Sequence, residues 1–330
     1  FYPKSIAFVG ASAQLGKWGN MLMANTISGE YNGEIYLVNP KGGTIAGRPV
    51  YRNIDAIPGT VDLAVVTIPA ARVLDLVAQM RQKEIKHMLL ITSGFGETGP
   101  EGKQLEKELV QAARKAGILI LGPNTMGICN PHNQLYCTGS PVRPLAGSTA
   151  VVAQSGNMGT QLLAFAESQG IGIRAFSGSG NEAMLTIEDY MEGFEIDGLT
   201  RTVMLYLESV KNGRRFFESA CRVGRQKPIV LLKGGQTGAG NRAAASHTGA
   251  MSSDAKVFNA VCRQAGIIKV EQSMDLLDLS AAFASVPVPR GNRAAIMTLG
   301  GGWGVITADL CAHYGLEVPS LPDSILSVLD

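Results

Sequence analysis

Ser5-Ile6-Ala7-Phe8-Val9-Gly10-Ala11-Ser12 is an apolar run that ends in a glycine turn. A strand covered on both faces need not alternate polar and apolar residues, so the run reads as a buried parallel strand. The turn continues through Leu15-Gly16-Lys17-Trp18-Gly19-Asn20, and Met21-Leu22-Met23-Ala24-Asn25 begins a helix. Strand, glycine turn and helix together open a nucleotide-binding βαβ unit. Residues 34–38 form the second strand, which runs into Asn39-Pro40-Lys41-Gly42-Gly43. A fold that grips a free ribose diol ends this strand in Asp or Glu. Lysine suits a phosphate instead, and Ser12 stands where a second glycine is expected. NAD is therefore disfavoured, and a nucleotide phosphorylated on its ribose is favoured.

The βα rhythm repeats outward from there. Strands are expected at 61–68, 87–91 and 118–121. A helix at 72–83 has apolar residues at Val73, Leu76, Val77 and Met80, and an amphipathic helix follows at 101–115. Ligands of such sheets sit beyond the carboxyl ends of the strands, which singles out the loops near Gly10, Pro40, Pro69, Ser93 and Asn124. Residues 129–147, rich in Pro, Asn and Gly, read as a linker.

A second α/β unit starts with a strand at 148–153 and turns through Gln154-Ser155-Gly156-Asn157-Met158-Gly159 into a helix at 160–169. Small residues at a helix N-terminus leave backbone N–H groups free to bind an anion; taken alone, Ser155 is equally a plain N-cap. Next come a strand at 171–176, the polar loop Ser177-Gly178-Ser179-Gly180-Asn181-Glu182, a helix at 185–194 and a strand at 202–207 that ends in Glu208-Ser209. A helix at 216–225, a strand at 228–232 and helices at 253–265 and 274–284 complete the unit. A second linker at 286–291 leads to a fresh strand at 293–299, a glycine turn and a helix at 305–313. Together these read as the first βα piece of a third unit. The chain begins without Met and stops soon after this piece, so a longer parent protein is expected.

Between the strand at 228–232 and the helix at 253–265 lies Arg242-Ala243-Ala244-Ala245-Ser246-His247-Thr248-Gly249-Ala250, preceded by a glycine-rich loop. Small neighbours leave room for a bulky group to approach His247, and a largely neutral imidazole has a lone pair to offer it. A phosphoryl group fits that description. Glu208, at the carboxyl end of a strand, can fix one ring nitrogen and free the other as nucleophile. A lone loop histidine is more often a surface residue and a lone glutamate more often a helix-start acid, so the order of the pieces has to decide.

That order resembles the nucleoside-diphosphate-forming acyl-CoA synthetases, a family that includes ADP-forming acetyl-CoA synthetase and is related to the α subunit of succinyl-CoA synthetase. The resemblance covers essentially the whole chain. Ser246-His247-Thr248-Gly249-Ala250 resembles the phosphohistidine segment. Ser155-Gly156-Asn157-Met158-Gly159 resembles the helix start that holds the phosphoryl group, and Glu208 matches the glutamate beside the phosphohistidine. The loops carrying Gly10, Ser12, Gly16 and Lys17, then Val38, Pro40 and Lys41, then Ile68 and Pro69, then Ser93 and Asn124, resemble the CoA contacts.

The resemblance implies an α/β chain with a Rossmann-like CoA-binding domain (1–128), a linker (129–147), a flavodoxin-like CoA-ligase domain (148–287) and an incomplete third domain (291–330). It implies an acid–thiol ligase that interconverts acyl-CoA, phosphate and ADP or GDP with carboxylic acid, CoA and ATP or GTP. His247 and Glu208 are its catalytic pair; Ser155, Gly156, Asn157 and Gly249 hold phosphate. The nucleotide and Mg are expected on an ATP-grasp domain, in a partner subunit or the rest of a fused chain, since the sequence has neither room for one nor a P-loop. The alternative reading is a non-catalytic CoA-binding regulatory or sensor module, which would have lost the histidine. Ser177 and Asn181 join Ser155 and Asn157 as candidates for the acyl-phosphate pocket.

The totals exclude other classes. A net charge of +2 argues against nucleic acid and anionic membrane surfaces as partners. No apolar run reaches the roughly 18 residues of a membrane span, and no signal-peptide pattern opens the chain. The five cysteines lack paired spacing and no ligand cluster suggests a metal, so a reducing, cytoplasmic setting and no metal site are expected. His87, His132 and His313 read as structural. An oligomer is expected.

Overall fold

The computed structural model describes residues 1–240, 242 and 254–329. Residues 1–285 form one compact unit, and 286–330 a second.

The first unit holds two seven-stranded sheets. Strands in the first are β1 Ser5–Val9, β2 Glu34–Val38, β3 Thr44–Ile45, β4 Arg48–Tyr51, β5 Leu63–Val66, β6 His87–Leu90 and β7 Leu119–Leu121. Their spatial order is β3-β4-β2-β1-β5-β6-β7, parallel throughout except for the β3–β4 pair. Without the short edge strand β3, this is the 3-2-1-4-5-6 order of dinucleotide-type folds, with its switch point between β1 and β5. Strand β1 is buried along its whole length, as its unbroken apolar run requires.

Helices α1 Trp18–Ser28, α2 Val73–Gln82 and α3 Pro100–Ala116 cover this sheet. In α2 the residues buried are Val73, Leu76, Val77 and Met80, the stripe read from spacing. Helix α3 starts on Pro100, carries Arg114 and Lys115 in its last turn, and stops at Gly117 with φ 70°.

The second sheet contains β8 Gly127–Asn130, β9 Leu135–Thr138, β10 Ala146–Ala153, β11 Ile173–Gly178, β12 Thr202–Leu207, β13 Ile229–Lys233 and β14 Ile268–Val270, in the order β14-β13-β12-β10-β11-β8-β9. The five strands β10 to β14 are parallel in the flavodoxin-like order 2-1-3-4-5, and the switch point lies between β10 and β12. Helices α4 Gly156–Ser168 and Ser273–Ser285 pack on one face, while α5 Ile187–Ile196, α6 Gly213–Gly224 and Ala255–Ala265 pack on the other.

Three expectations are corrected. The segment 129–147 is not a plain linker: β8 and β9 form an antiparallel hairpin, and β8 pairs with β11. Its turn residues, read as linker composition, close the hairpin through Pro131–Asn133 and Gln134 at φ 50°. Side chains alternate across the hairpin, with Ile128, Leu135 and Cys137 in the core of the first sheet and Cys129 in that of the second. Helix α4 begins at Gly156, not Thr160. In the second unit no strand forms at 293–299, because the only ladder contact among the described residues is an isolated bridge from Arg293 to Glu317, and a strand without partners leaves its backbone unpaired. The helix there runs over Gly301–His313.

No helix among the described residues is long and apolar enough to cross a membrane.

Candidate functional site

Both sheets turn their carboxyl ends toward one cleft of about 710 Å³. From the first sheet come Ile68 and Pro69 after β5, Ser93 after β6 and Asn124 after β7. From the second come Ser155, Gly156 and Asn157 at the start of α4, Asn181 and Glu182 after β11, and Ser209 and Lys211 after β12. Residues far apart in sequence therefore meet where both folds place ligands.

The remaining residues expected to contact CoA lie on the same edge of the first sheet but do not line this cleft. Gly10, with φ 98°, donates its N–H to Val38 O at 2.9 Å, and Ala11 N reaches the same oxygen at 3.1 Å. Val38 itself is buried in the core. The Ser12 hydroxyl accepts from Gln14 N at 3.1 Å, and the Asn39 amide ties the two loops together by donating to Ala11 O at 2.9 Å. Gly16, Lys17, Pro40 and Lys41 are exposed. Lys17 is the N-cap of α1 and makes no side-chain cap bond; of the first-turn N–H groups, that of Asn20 donates to Lys17 O at 2.9 Å. Helix α1 begins pressed against the sheet: a Cβ on Gly19 would lie 2.0 Å from Gly10 O.

Ser155 caps α4 by accepting from Met158 N at 3.5 Å, the outer limit of a hydrogen bond. The N–H groups of Gly156 and Asn157 belong to the first turn, which has no intrahelical acceptor for them. Gly156 is needed here for close approach, since a Cβ would fall 1.9 Å from Met126 Cγ.

Glu208 follows β12 and is buried, 6% exposed. Tyr206 donates its hydroxyl to Glu208 Oε1 at 3.3 Å, and burial together with that carboxylate pushes the phenol up to about 12. The Lys233 ammonium donates to Glu208 O at 2.7 Å and Gly234 O at 2.6 Å; burial lowers its pKa. Strands β12 and β13 are in register at Leu207 and Lys233, and Gly234 N donates to Leu207 O at 2.8 Å. A Cβ on Gly234 would lie 3.4 Å from Glu208 Cγ. The chain that leads toward His247 thus leaves the sheet beside Glu208. His247 and Gly249 themselves lie outside the described residues.

Several groups that shape the cleft escaped the sequence reading. The buried Gln154 side chain joins the loops after β10, β11 and β12. Glu182 is 1% exposed, and burial raises its carboxyl above the ordinary range. Asn181, already a candidate for the pocket from sequence, lines the cleft and makes a link that was not foreseen: its amide donates to Glu97 Oε2 at 2.5 Å and Glu106 Oε2 at 2.9 Å, joining the sheets. Burial pushes the Glu97 carboxyl up, but bonds from Asn181 and from the Gly94 and Phe95 N–H groups outweigh it and hold the pKa below its usual value. Ser177, expected near the pocket, is fully buried and bonded to the Tyr190 hydroxyl at 2.8 Å.

His87 and His132 bond to backbone carbonyls of Asp62 and Gly147. His313 packs edge-on against Tyr314. Among the described residues no group of His, Cys, Asp and Glu is arranged to hold a metal ion.

Family models match two stretches: a CoA binding domain over residues 4–131 and a succinyl-CoA ligase like flavodoxin domain over 146–283. The alpha subunit of acetate–CoA ligase [ADP-forming] I from Pyrococcus furiosus is 41% identical over 322 residues, covering 96% of this chain and 70% of that subunit. Acetate–CoA ligase [ADP-forming] I from Archaeoglobus fulgidus is 37% identical, and the match covers only 46% of that longer protein. Among solved structures, the dinucleotide forming acetyl-coenzyme A synthetase 1 of Ca. Korarchaeum cryptofilum, in complex with phosphate and ADP, superposes with a TM-score of 0.92 at 35% identity, over 99% of this chain and 70% of that one.

Proposed function

The chain belongs to the nucleoside-diphosphate-forming acyl-CoA synthetase family, and on that premise we propose that it binds acyl-CoA and carries the phosphohistidine of such a ligase. Residues 1–128 hold CoA, 148–287 hold the phosphoryl chemistry, and 291–330 begin a third domain. An ATP-grasp polypeptide, separate or fused, binds ADP or GDP with Mg and completes turnover. The protein acts in the cytoplasm as part of an oligomer.

The observation that carries this reading is the shared cleft, where Ile68, Pro69, Ser93 and Asn124 face Ser155, Gly156 and Asn157. A thioester delivered along the first sheet arrives at the N-terminus of α4. There a phosphate oxygen attacks the thioester carbonyl, the C–S bond breaks, and CoA leaves as a thiolate that takes up a proton. The dipole and free N–H groups of α4 stabilise phosphate charge throughout. The second step is attack on phosphorus by one nitrogen of His247. The P–O bond to the acyl group breaks and the carboxylate departs. Glu208 holds the other ring nitrogen and stabilises the charged imidazole, while Gly249 joins Ser155, Gly156 and Asn157 in holding the phosphoryl group. The phosphohistidine then passes its phosphoryl group to ADP or GDP. Gly10, Ser12, Gly16, Lys17, Val38, Pro40 and Lys41 form the part of the CoA site that receives the nucleotide end, with Lys17, Lys41 and the open start of α1 on its phosphates.

The test combines this chain with its ATP-grasp polypeptide and labelled ATP. Acid-labile, base-stable label is expected on the protein, and acyl-CoA with phosphate should drive ATP formation from ADP. A His247→Asn variant that labels as the wild type does would refute the assignment.

A further inference from the structure

Gln154 directly follows β10 at the switch point of the second sheet, immediately before the cap Ser155, and is 8% exposed. Its carboxamide makes four hydrogen bonds. Oε1 accepts from Glu208 N at 2.6 Å and Ser209 N at 2.9 Å; Nε2 donates to Glu182 Oε1 at 3.0 Å and Ser209 O at 2.9 Å. Only this orientation of the amide matches donors to acceptors, because the opposite one would set NH₂ against two N–H groups and oxygen against a carboxylate and a carbonyl. With every polar position engaged by protein, the side chain has nothing left to offer a substrate, although it forms part of the cleft wall.

The bonds are placed so that they relate two functional groups. Gln154 adjoins the N-terminus of α4 in sequence and grips the backbone of Glu208 through space. Its own amide is fixed by Glu182, whose Oε1 also accepts from Ser179 Oγ at 2.8 Å and whose Oε2 accepts from Ile187 N at 3.3 Å. Lys211 closes the group by donating to Asn181 O and Glu182 O, each at 2.7 Å. A polar network this buried stands or falls as a unit.

We infer that Gln154 is a positioning residue for phosphoryl transfer, fixing Glu208 relative to the start of α4 with Glu182 as its anchor. The inference rests on the function proposed above. Phosphoryl transfer is governed by placement, and an error of about 1 Å costs roughly 100-fold.

The experiment uses the complete enzyme with its ATP-grasp part. It measures the rate of histidine labelling from ATP, CoA affinity and thermal unfolding for the wild type, Gln154→Glu, Glu182→Gln and the double variant. Gln154→Glu sets a carboxylate against both the Glu182 carboxylate and Ser209 O; adding Glu182→Gln restores a donor opposite an acceptor at the first contact, with the polarity reversed, and leaves the second unrepaired, so recovery is partial. Labelling is expected to fall about 100-fold in Gln154→Glu, with CoA affinity within about threefold of the wild type, and to recover at least tenfold in the double variant. Wild-type labelling in Gln154→Glu, or a double variant no better than the single one, overturns the inference. If Gln154→Glu does not fold, Gln154→Met takes its place: at least tenfold slower labelling with CoA affinity kept supports the role, and unchanged labelling ends it. Failure of the functional reading would show separately, as a wild-type enzyme that takes no label.

Discussion

Replacing Gly156 by alanine tests whether the start of α4 is held in place by close packing against the first sheet's last loop. The backbone itself tolerates alanine, because Gly156 does not have a positive φ, and alanine favours a helix by up to about 1 kcal/mol. Space is the obstacle: the new Cβ would fall 1.9 Å from Met126 Cγ, 3.0 Å from its Cβ and 3.2 Å from its sulfur. Met126 cannot simply retreat, for its carbonyl holds Gly139 N at 3.0 Å and the neighbouring Thr125 hydroxyl is bonded to Gly178 O. Its side chain must swing into the cleft or α4 must move outward. Overpacking of this kind costs about 1–3 kcal/mol. Set against the helix gain, a net loss near 1–2 kcal/mol lowers Tm by about 2–8 °C. Labelling of His247 should fall further, by about 100-fold, because the group displaced is the one that positions phosphate. The assay is thermal unfolding plus labelling from ATP for Gly156→Ala, Met126→Ala and the pair. Truncating Met126 removes the obstructing atoms, so the pair should be more stable than the sum of the two single losses by about 1 kcal/mol or more. Strictly additive losses would refute the packing argument.

Gly19→Ala sets its Cβ 2.0 Å from Gly10 O, against backbone that cannot rotate away; we expect a loss at the ~3 kcal/mol top of the overpacking range and weakened CoA binding by calorimetry, and wild-type affinity would contradict it. Lys233→Met keeps the aliphatic stem but strands the carbonyls of Glu208 and Gly234; a loss of about 1–3 kcal/mol is expected in denaturant unfolding. The Glu97 carboxyl, held below its ordinary 4.5, contributes stability that is present above that value and is lost as pH falls through the lower folded pKa. Asn181→Leu removes one of its donors, so Tm should fall less steeply on acidification below pH 4.5 than in the wild type; parallel slopes would count against the assignment.

The parts of the fold visible in the sequence were those with local causes. The strand at 202–207 and the stripe of α2 followed from apolar spacing alone. Boundaries failed where local cues mislead. Gly156 to Gly159 look like a loop because glycine is a poor helix former, yet they are the first turn of α4, held by tertiary packing. The three residues of β14 were too few to show a period. In the site, the loops could be named because they follow strands. The network of Gln154, Glu182, Asn181, Glu97 and Glu106 could not, since its bonds join residues 28 to 84 positions apart. Nothing near Gln154 in sequence hints that its amide will meet the backbone of Glu208.

The hairpin of β8 and β9 has a practical meaning. It hydrogen-bonds to one sheet while pushing alternate side chains into the core of the other, like a dowel shared by two planks. A polypeptide trimmed to start at Ala146 would bare the edge of β11 and invite aggregation. One ending before Gly127 would strip Ile128, Leu135 and Cys137 from the core cluster that holds Ile6, Phe8 and Leu22. Neither half should survive excision, and whatever travels during catalysis must do so without prising the two sheets apart.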